Sequence, residues 1–241
     1  MPQIYTENET MMTTNAMYWI LFVGVALISW IVSKSMERKM KRYSEEKLSL
    51  TGKEVAERML RDNGIMDVGI TCVKGQLTDH YNPATKTVNL SEDVYNGANV
   101  AAAAVAAHEC GHAVQHAEAY APLKVRSALV PVVSVSSKWV TWIILGGLLL
   151  IGSTAGRVCL LIGICLYAVL TLFSFITLPV EVNASQRAVN WLQEAGITDR
   201  STTEMASDAL HSAAYTYVVA ALSSLATLIY YILVYIGGSR R

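Results

Sequence analysis

Long runs of apolar residues alternate with polar stretches along the chain, and four of these runs approach or exceed the length of a membrane-spanning helix. They cover residues 17–33, 128–153, 157–178 and 213–238. A helix needs about 20 apolar residues to cross the hydrocarbon core of a bilayer. A minimal turn separates the second run from the third, which favours a helical hairpin. The pattern predicts a mainly α, multi-pass membrane protein with about four transmembrane helices.

Between the first and second apolar runs, residues 34–127 have the mixed pattern of a small folded α+β region. Capping residues, alternation and turn signals predict a helix opening with a capping box over 51–54, a strand over 68–72, a hairpin over 77–90 and an alanine-rich helix over 99–119 that ends by Pro122. The segment Thr87–Leu90 has two interpretations. It is either an edge strand that binds an extended peptide through its main chain, or an ordinary strand of the hairpin.

The polar stretch between the third and fourth runs, residues 179–212, is predicted to be helical. Pro179 suits the first turn of a helix that extends to Ala195 and stops at Gly196. Ser201–Glu204 has the pattern of a second capping box, opening a helix that runs into the fourth apolar run. Because no linker or internal repeat separates these parts, residues 1–241 are predicted to form a single membrane-embedded unit.

Composition and the placement of charge agree with a membrane protein and predict its orientation. Hydrophobic residues make up 53% of the chain and charged residues 16%, and the mean hydropathy is +0.35. Six Lys and Arg residues lie within 34–47, whereas residues 1–16 contain none. The positive-inside rule therefore places 34–127 and 179–212 in the cytoplasm and the N-terminus outside. Arg240 and Arg241 then lie outside, against the rule.

The net charge is zero, so the average charge favours no class of partner. The basic run over 34–42 is interpreted as a topology signal that also contacts anionic lipid. A nucleic-acid site is not expected there.

The predicted alanine-rich helix carries the pattern His108-Glu109-Cys110-Gly111-His112. A spacing of four places the two imidazoles on one helix face, close enough to hold one zinc ion. Zinc lowers the pKa of a bound water to about 7, and the Glu109 carboxylate is placed to take the proton of that water without being a ligand. A pattern this short also occurs in helices by chance, where the histidines have structural roles.

A catalytic zinc ion requires three protein ligands and one open position. His116 continues the spacing of four, but a helix rises about 12 Å from His108 to His116, which is too far for one ion. Glu181 lies on the same predicted side of the membrane as the two histidines. It has two interpretations: the third ligand, or an acidic residue that stabilises a helix N-terminus.

Hydrolysis of a carbonyl compound also needs a group that stabilises negative charge on the carbonyl oxygen. The candidates are His211, Tyr215, Tyr217 and Arg187. Tyrosines near a membrane interface usually belong to an aromatic belt, so the sequence singles out none of the four.

Two longer stretches surround these candidate residues. Asp79–Arg126 contains Asp-His-Tyr-Asn-Pro, His-Glu-Cys-Gly-His-Ala-Val-Gln-His and Tyr-Ala-Pro-Leu-Lys-Val-Arg, and Leu178–Ala188 reads Leu-Pro-Val-Glu-Val-Asn-Ala-Ser-Gln-Arg-Ala. Together with Thr216–Val218 they resemble the YugP-like neutral zinc metallopeptidases of bacteria, and the resemblance covers nearly the whole chain. It implies a multi-pass membrane zinc peptidase with a thermolysin-like (gluzincin-type) active-site helix. It also implies the zinc ligands His108, His112 and Glu181 and the catalytic base Glu109.

A more distant likeness is to the HtpX and CAAX-prenyl-protease family. In that family the glutamate motif continues to an aspartate four residues later, where this chain has Ser185. The departure leaves two candidates for the residue that orients the first histidine, Asn183 and Ser185.

We therefore predict a zinc metalloendopeptidase of the HExxH type in the bacterial inner membrane, with its active site facing the cytoplasm. Its expected cofactor is Zn²⁺, and its expected partners are the lipid bilayer and a membrane-associated or misfolded polypeptide substrate. Two alternatives are a zinc-binding scaffold that cleaves nothing and a transporter with the histidines in an ion path. No feature of the sequence predicts the oligomeric state.

Overall fold

A computed structural model of the chain describes residues 2–238, with side chains described for residues 19–237. In chain order it contains α1 (Pro2–Tyr43), α2 (Gly52–Asp62), β1 (Gly69–Val73), β2 (His80–Asn82), β3 (Thr87–Ser91), α3 (Glu92–Asn96), α4 (Val100–Ala117), α5 (Ala121–Leu149), α6 (Thr154–Glu194) and α7 (Arg200–Gly238). Arg240 and Arg241, and the side chains of residues 1–16 on which the predicted orientation also depends, lie outside the described residues.

The chain divides into two compact units, each assembled from separate stretches of sequence. One takes in residues 1–31, 129–175 and 218–241, as far as the structure describes them. The other takes in residues 32–128 and 176–217. The first holds the apolar parts of the four long helices, and the second holds the sheet, the short helices and the polar ends of the long ones.

Four of the described helices are long and apolar enough to cross a membrane: α1 from Trp19 onward, α5, α6 and α7. Each predicted apolar run falls on one of them, although α5 ends at Leu149 and residues 150–153 form a turn. Large apolar side chains on these helices are exposed, as hydrocarbon requires of a lipid-facing surface, for example Trp30, Trp142 and Ile229. Together with a single small described sheet, these helices confirm the predicted mainly α membrane fold.

The apolar unit has a packed core where α5 and α6 form their hairpin. Val140 and Ile144 of α5 are buried against Leu160 and Ile164 of α6. Gly147 makes this packing close, because a Cβ at that position would lie 2.6 Å from the backbone nitrogen of Leu160.

The core of the other unit is formed mainly by α2 packed on α4. Thr51 and Glu54 make the predicted capping box at the start of α2, and Asn63 caps its end. Met59 of α2 is almost fully buried, and alanines occupy half of the buried positions of α4. Because alanine side chains are small, the backbones of the two helices approach closely.

The three strands form one sheet in the order β1-β3-β2, with β1 parallel and β2 antiparallel to β3. The strand that contains Thr87–Leu90 is therefore central, and its interpretation as an edge strand is wrong. Its main chain pairs with β1 on one side and with β2 on the other. The side chains of Val88 and Leu90 are fully buried in the core. The edge strand that contacts α4 is β2.

The helix expected to begin at Pro179 does not begin there. Instead α6 is continuous from Thr154 to Glu194, with Pro179 inside it. A proline within a helix removes one backbone hydrogen bond, which a membrane helix tolerates when its neighbours satisfy the freed group. Glu181 is consequently an interior helical residue, and its interpretation as a residue that stabilises a helix N-terminus is wrong.

The cap of α7 lies two residues before the predicted one. The Asp199 carboxylate accepts hydrogen bonds from the backbone nitrogen and the hydroxyl of Thr202, and the backbone nitrogen of Asp199 donates to the Thr202 hydroxyl. Asp199 is a stronger cap than Ser201 here because it makes this reciprocal pair directly before Arg200. From there α7 runs without interruption to Gly238, as predicted.

Candidate active site

His108 and His112 lie on one face of α4, with their ring centroids 4.8 Å apart. Glu181 of α6 faces both rings. Its Oε2 atom lies 3.4 Å from Nε2 of His108 and 3.6 Å from Nε2 of His112. Among the described residues, these three side chains form the one group of three His, Cys, Asp or Glu residues that could hold a metal ion. We call His108, His112 and Glu181 the metal group.

The distances from Glu181 to the two histidines fit a zinc ion. Bonds of about 2.1 Å in a tetrahedral site place ligand atoms roughly 3.4 Å apart, and the two distances to Glu181 Oε2 are 3.4 and 3.6 Å. Two imidazoles and one carboxylate are also the donor set of a catalytic zinc site, which leaves the fourth position open.

Gln115 fixes the tautomer of His112. The amide nitrogen of Gln115 donates hydrogen bonds of 2.9 Å to the carbonyl oxygen of Val180 and to Asn183 Oδ1. Its oxygen must then face Nδ1 of His112, at 3.0 Å, and a carbonyl oxygen can only accept. His112 therefore carries its proton on Nδ1, which leaves the lone pair of Nε2 for a metal.

His108 is oriented by a different group. Its Nδ1 atom lies 3.1 Å from the hydroxyl of Ser185. Of the two residues considered from the sequence, Ser185 contacts His108 directly, whereas Asn183 acts on His112 through Gln115. Asn183 Oδ1 is held in turn by a hydrogen bond from Nε of Arg187.

Gly111 allows α4 and α6 to meet beside these groups. A Cβ at position 111 would lie 2.7 Å from the carbonyl oxygen of Ala184 and 3.2 Å from its Cα atom. Backbone atoms cannot yield to such a clash as a flexible side chain can. The absence of a side chain at Gly111 therefore brings Glu181, one helical turn before Ala184, up to the two histidines.

The electrostatics of the group favour a positive charge between the carboxylate and the imidazoles. Burial by itself would raise the pKa of Glu181, but hydrogen bonds and charge from His108 and His112 outweigh it and hold that pKa far below its ordinary value. Burial by itself would lower the pKa of His112, but the hydrogen bond to Glu181 and the charges of Glu109 and Glu181 raise it overall. A divalent cation supplies such a charge.

Glu109 is buried, and strand β2 holds its carboxylate. The backbone nitrogen of Tyr81 donates a hydrogen bond of 3.0 Å to Glu109 Oε2. The phenol of Tyr81 lies 2.9 Å from Nδ1 of His116, one turn of α4 beyond His112. His116 thus connects β2 to α4 and is outside the metal group, in agreement with the distance argument.

A cavity of about 180 Å³ opens beside these groups. Its lining includes His108, Glu109, Glu181, Leu77, Asp79 and Tyr217. Asp79 is held by hydrogen bonds from the backbone nitrogen and the hydroxyl of Ser91, which fixes the segment before β2 as one wall. His108 and Glu181 of the metal group therefore line the same partly open cavity as Glu109.

Of the four residues considered for charge stabilisation, the structure brings one to the cavity. Tyr217 lines it. Arg187 donates to Asn183 and Glu118, His211 is bonded to Ser207, and Tyr215 is 60% exposed. None of these three lines the cavity.

Two residues near the site were not found from the sequence. Gln115 lies three residues after His112, which is the spacing of neighbours on a helix face, and a buried amide at that spacing is the signal that could have found it. Arg126, at the start of α5, places Nη2 at 3.7 Å from Glu181 Oε1. Its approach depends on how α4 and α5 are joined, and no local pattern shows this.

The comparisons with known proteins agree with this geometry. Residues 18–236 match the model of the family described as "Putative neutral zinc metallopeptidase". The chain is 38% identical over 223 residues to "Putative membrane protease YugP" of Bacillus subtilis (strain 168), an alignment that covers 91% of this chain and 96% of the relative. No solved structure matches the chain significantly. The chain belongs to the family that this model describes, and its four long apolar helices are those of a membrane protein.

Proposed function

We propose that this protein is a zinc-dependent membrane endopeptidase of the HExxH type, with His108, His112 and Glu181 as zinc ligands and Glu109 as general base. The observation that carries the proposal is the convergence of three ligand atoms within 4.8 Å of one another. Two of the residues that supply them, His108 and Glu181, line a cavity that Glu109 also lines. Membership of the zinc metallopeptidase family supports the reaction class.

Each residue of the group has a role in this reaction. Zinc, when bound, polarises the substrate carbonyl and lowers the pKa of water to about 7. Glu109 takes a proton from the attacking water and gives it to the leaving amine as the C–N bond breaks. The Tyr81 N–H holds one oxygen of Glu109, which leaves the other for the proton. Gln115 and Ser185 keep both imidazoles turned toward the metal position.

Metal analysis of the purified full-length protein tests the ligand set. We expect one zinc per chain in the wild type and loss of most of it in His112→Ala and Glu181→Ala. Glu194→Ala is the matched control, since Glu194 is an exposed glutamate on the same helix, α6. Full zinc in Glu181→Ala would make the third-ligand assignment wrong.

Glu109→Gln separates a peptidase from a zinc-binding scaffold. The amide keeps the size of the side chain but cannot take a proton. We expect full zinc content and a loss of peptide hydrolysis of at least about a hundredfold, the lower end of what a general base contributes. Hydrolysis at the wild-type rate in this variant would overturn the mechanism.

We also propose that the site faces the cytoplasm from the bacterial inner membrane, on the basis of the basic residues within 34–47. Cys72 is an exposed native thiol on β1 that can report this. A membrane-impermeant maleimide should label it only after spheroplasts are permeabilised, with Cys72→Ser as the control. Gly152→Cys, introduced in the Cys72→Ser background, should be labelled in intact spheroplasts.

The same labelling tests the transporter alternative. His116→Cys places a thiol at an exposed position of α4, two turns beyond His108. A site at the membrane surface predicts labelling after permeabilisation. Protection of this thiol in both intact and permeabilised spheroplasts would place the motif inside the membrane and favour a transporter.

We propose that the substrates are membrane-associated or misfolded polypeptides. Glu181 lies three residues after the apolar run 157–178 on the same continuous helix, which keeps that ligand near the bilayer. One peptide sequence presented with and without a membrane anchor tests this. We expect the anchored form to be cleaved at the higher kcat/KM in proteoliposomes, and equal values would contradict the proposal.

A further inference from the structure

The guanidinium of Arg126 lies beside the metal group but makes no close hydrogen bond to Glu181. Nη2 lies 3.7 Å from Glu181 Oε1, beyond the range of a hydrogen bond. Nε is buried and has no hydrogen-bond partner among the described residues. The guanidinium is therefore next to Glu181 but is not paired with it in the two-pronged geometry that arginine and carboxylate usually adopt.

An unsatisfied buried N–H is costly and needs an explanation. Native proteins satisfy nearly all buried polar atoms, and exceptions commonly lie at functional sites. Glu181 directs Oε2 to both histidines, so only Oε1 faces Arg126. An arginine that served only to neutralise Glu181 would approach Oε1 to hydrogen-bond distance. The observed distance leaves N–H donors for another acceptor.

Arg126 does not itself line the cavity, but Glu181, whose Oε1 it approaches, does, so the chemistry at the cavity edge indicates what that acceptor is. Glu109 and Glu181 place two carboxylates on the cavity lining. Their negative charge disfavours a permanently bound anion there. The reaction produces one: when water adds to the scissile carbonyl, the π electron pair moves to the carbonyl oxygen, which becomes negative. A preorganised cation at that point lowers the barrier, because it stabilises a charge that is absent in the ground state.

We propose that Arg126 is a catalytic residue whose guanidinium donates hydrogen bonds to the oxyanion of the scissile carbonyl; this rests on the endopeptidase function proposed above. The water oxygen bonds to the carbonyl carbon while Glu109 takes one water proton. The oxyanion then re-forms the carbonyl as the C–N bond breaks, and the amine takes the proton from Glu109. Arg126 keeps all its protons throughout, as arginine does in proteins.

The test compares a charged mimic of the oxyanion with a neutral substrate. The zinc-loaded full chain is assayed for binding of a phosphinic peptide, in which a tetrahedral phosphinate replaces the scissile amide. Binding of the parent peptide is measured in the Glu109→Gln background, where it is not cleaved. For Arg126→Met we expect the Kd of the phosphinic peptide to rise about a hundredfold, the scale of one oxyanion donor, and the Kd of the parent peptide to change less than threefold.

The same preference of Arg126 for the oxyanion over the neutral substrate predicts its effect on the kinetics. Arg126→Met should lower kcat about a hundredfold with KM and zinc content unchanged. Arg126→Lys should recover part of the loss, because it restores the charge without the planar fork. Lys124→Met is the matched control, an exposed cation on the same helix two residues earlier, and should match the wild type in every measurement.

Other outcomes would overturn the inference about Arg126, and they can be told apart from a failure of the proposed endopeptidase function. Loss of zinc in both Arg126 variants would mean that Arg126 only positions Glu181. Equal weakening of the two peptides would mean that it binds the ground-state substrate. If wild-type protein binds the phosphinic peptide but cleaves no peptide, the endopeptidase function fails, and the Kd comparison then decides only whether Arg126 binds a tetrahedral anion at this site. If wild type does not bind it at all, both fail.

Discussion

The backbone nitrogen of Tyr81 donates a 3.0 Å hydrogen bond to Oε2 of Glu109. Because this donor belongs to the main chain of β2, no substitution at position 81 other than proline removes it. The side chain of the same residue contacts His116. One residue of the edge strand is therefore bonded to α4 at two points, on either side of His112 in the sequence.

Tyr81→Phe removes the phenol that meets His116, and His116→Ala removes the other partner. We expect kcat to fall about fivefold in either variant, because one hydrogen bond contributes about 1 kcal/mol and β2 then holds Glu109 less firmly. Zinc content should remain full in both. The double variant should fall no further than the singles, and loss of zinc from His116→Ala would contradict the exclusion of His116 as a ligand.

Gln115→Leu keeps the approximate volume of the side chain but removes the acceptor for Nδ1 of His112. We expect zinc affinity to weaken about 10- to 100-fold, the usual effect of losing a group that orients a histidine ligand. Competition with a chromogenic chelator measures this. Gln193→Leu, an exposed glutamine near the end of α6, should leave the affinity unchanged, and an equal loss in the two variants would contradict the role of Gln115.

Ser185 is a weaker partner for His108 than a carboxylate would be, since charge-assisted hydrogen bonds are stronger than neutral ones. We expect Ser185→Ala to weaken zinc binding by up to about tenfold and Ser185→Asp to bind zinc at least as tightly as wild type. The same chelator competition measures both. An Ala variant with wild-type affinity would show that the 3.1 Å contact with His108 does not orient the ring.

Gly111→Ala should separate α4 from α6. The added methyl would lie 2.7 Å from the carbonyl oxygen of Ala184, and we expect the free energy of unfolding to fall by about 1–3 kcal/mol, as overpacked sites do. Zinc affinity should fall with it because Glu181 moves back. Gly146→Ala is the control: it is also a helical glycine, but no described atom lies within 4 Å of its added Cβ, so thermal stability should be unchanged or slightly higher.

Asp208 connects α7 to the polar end of α1 and gives a prediction about pH. Lys39 donates to its Oδ1 and Tyr43 to its Oδ2, each at 2.7 Å. The hydrogen bond from Lys39, followed by that from Tyr43, outweighs burial and lowers the pKa of Asp208. A carboxyl with a lowered folded-state pKa stabilises the protein above its unfolded pKa, about 3.9, and this contribution is lost as the pH falls through the folded value.

We therefore expect Asp208→Asn to lower the melting temperature at pH 7 by about 1–3 °C, since a pair this exposed contributes less than about 1 kcal/mol. The difference between variant and wild type should persist down to about pH 5 and shrink as the pH falls below the unfolded pKa of about 3.9. Glu204→Gln, which removes a more exposed ion pair with Arg200, should shift the melting temperature less. A difference for Asp208→Asn that grows on acidification would contradict the assignment.

Local signals in the sequence predicted most of the helices and the two histidines, because each depends on residues close together in the chain. The capping box at Thr51, the stop at Asn63 and the paired imidazoles of α4 are of this kind. Pro179 misled the prediction, since its preference for a first helical turn is local, whereas its actual position inside α6 depends on neighbours that are remote in sequence. The same holds for Thr87–Leu90, whose central place in the sheet depends on pairing with β1.

The supporting groups of the site were harder to predict for the same reason. That Ser185 faces His108, or that Arg126 approaches Glu181, follows from the packing of α4 against α6 and from the turn between α4 and α5. Gly111 is an example. The sequence alone does not show why position 111 needs a glycine, and the reason is that the backbone of Ala184 packs against it.

The order of the ligands along the chain has a consequence for biogenesis. His108 and His112 leave the ribosome about 70 residues before Glu181, and α5 and most of α6 are synthesised between them. A nascent chain that carries the two histidines but ends before residue 181 lacks the third member of the proposed ligand set. The ligand set proposed above is therefore complete only after the α5–α6 hairpin has been made, and we expect the newly synthesised protein to be inactive until that stage of membrane insertion.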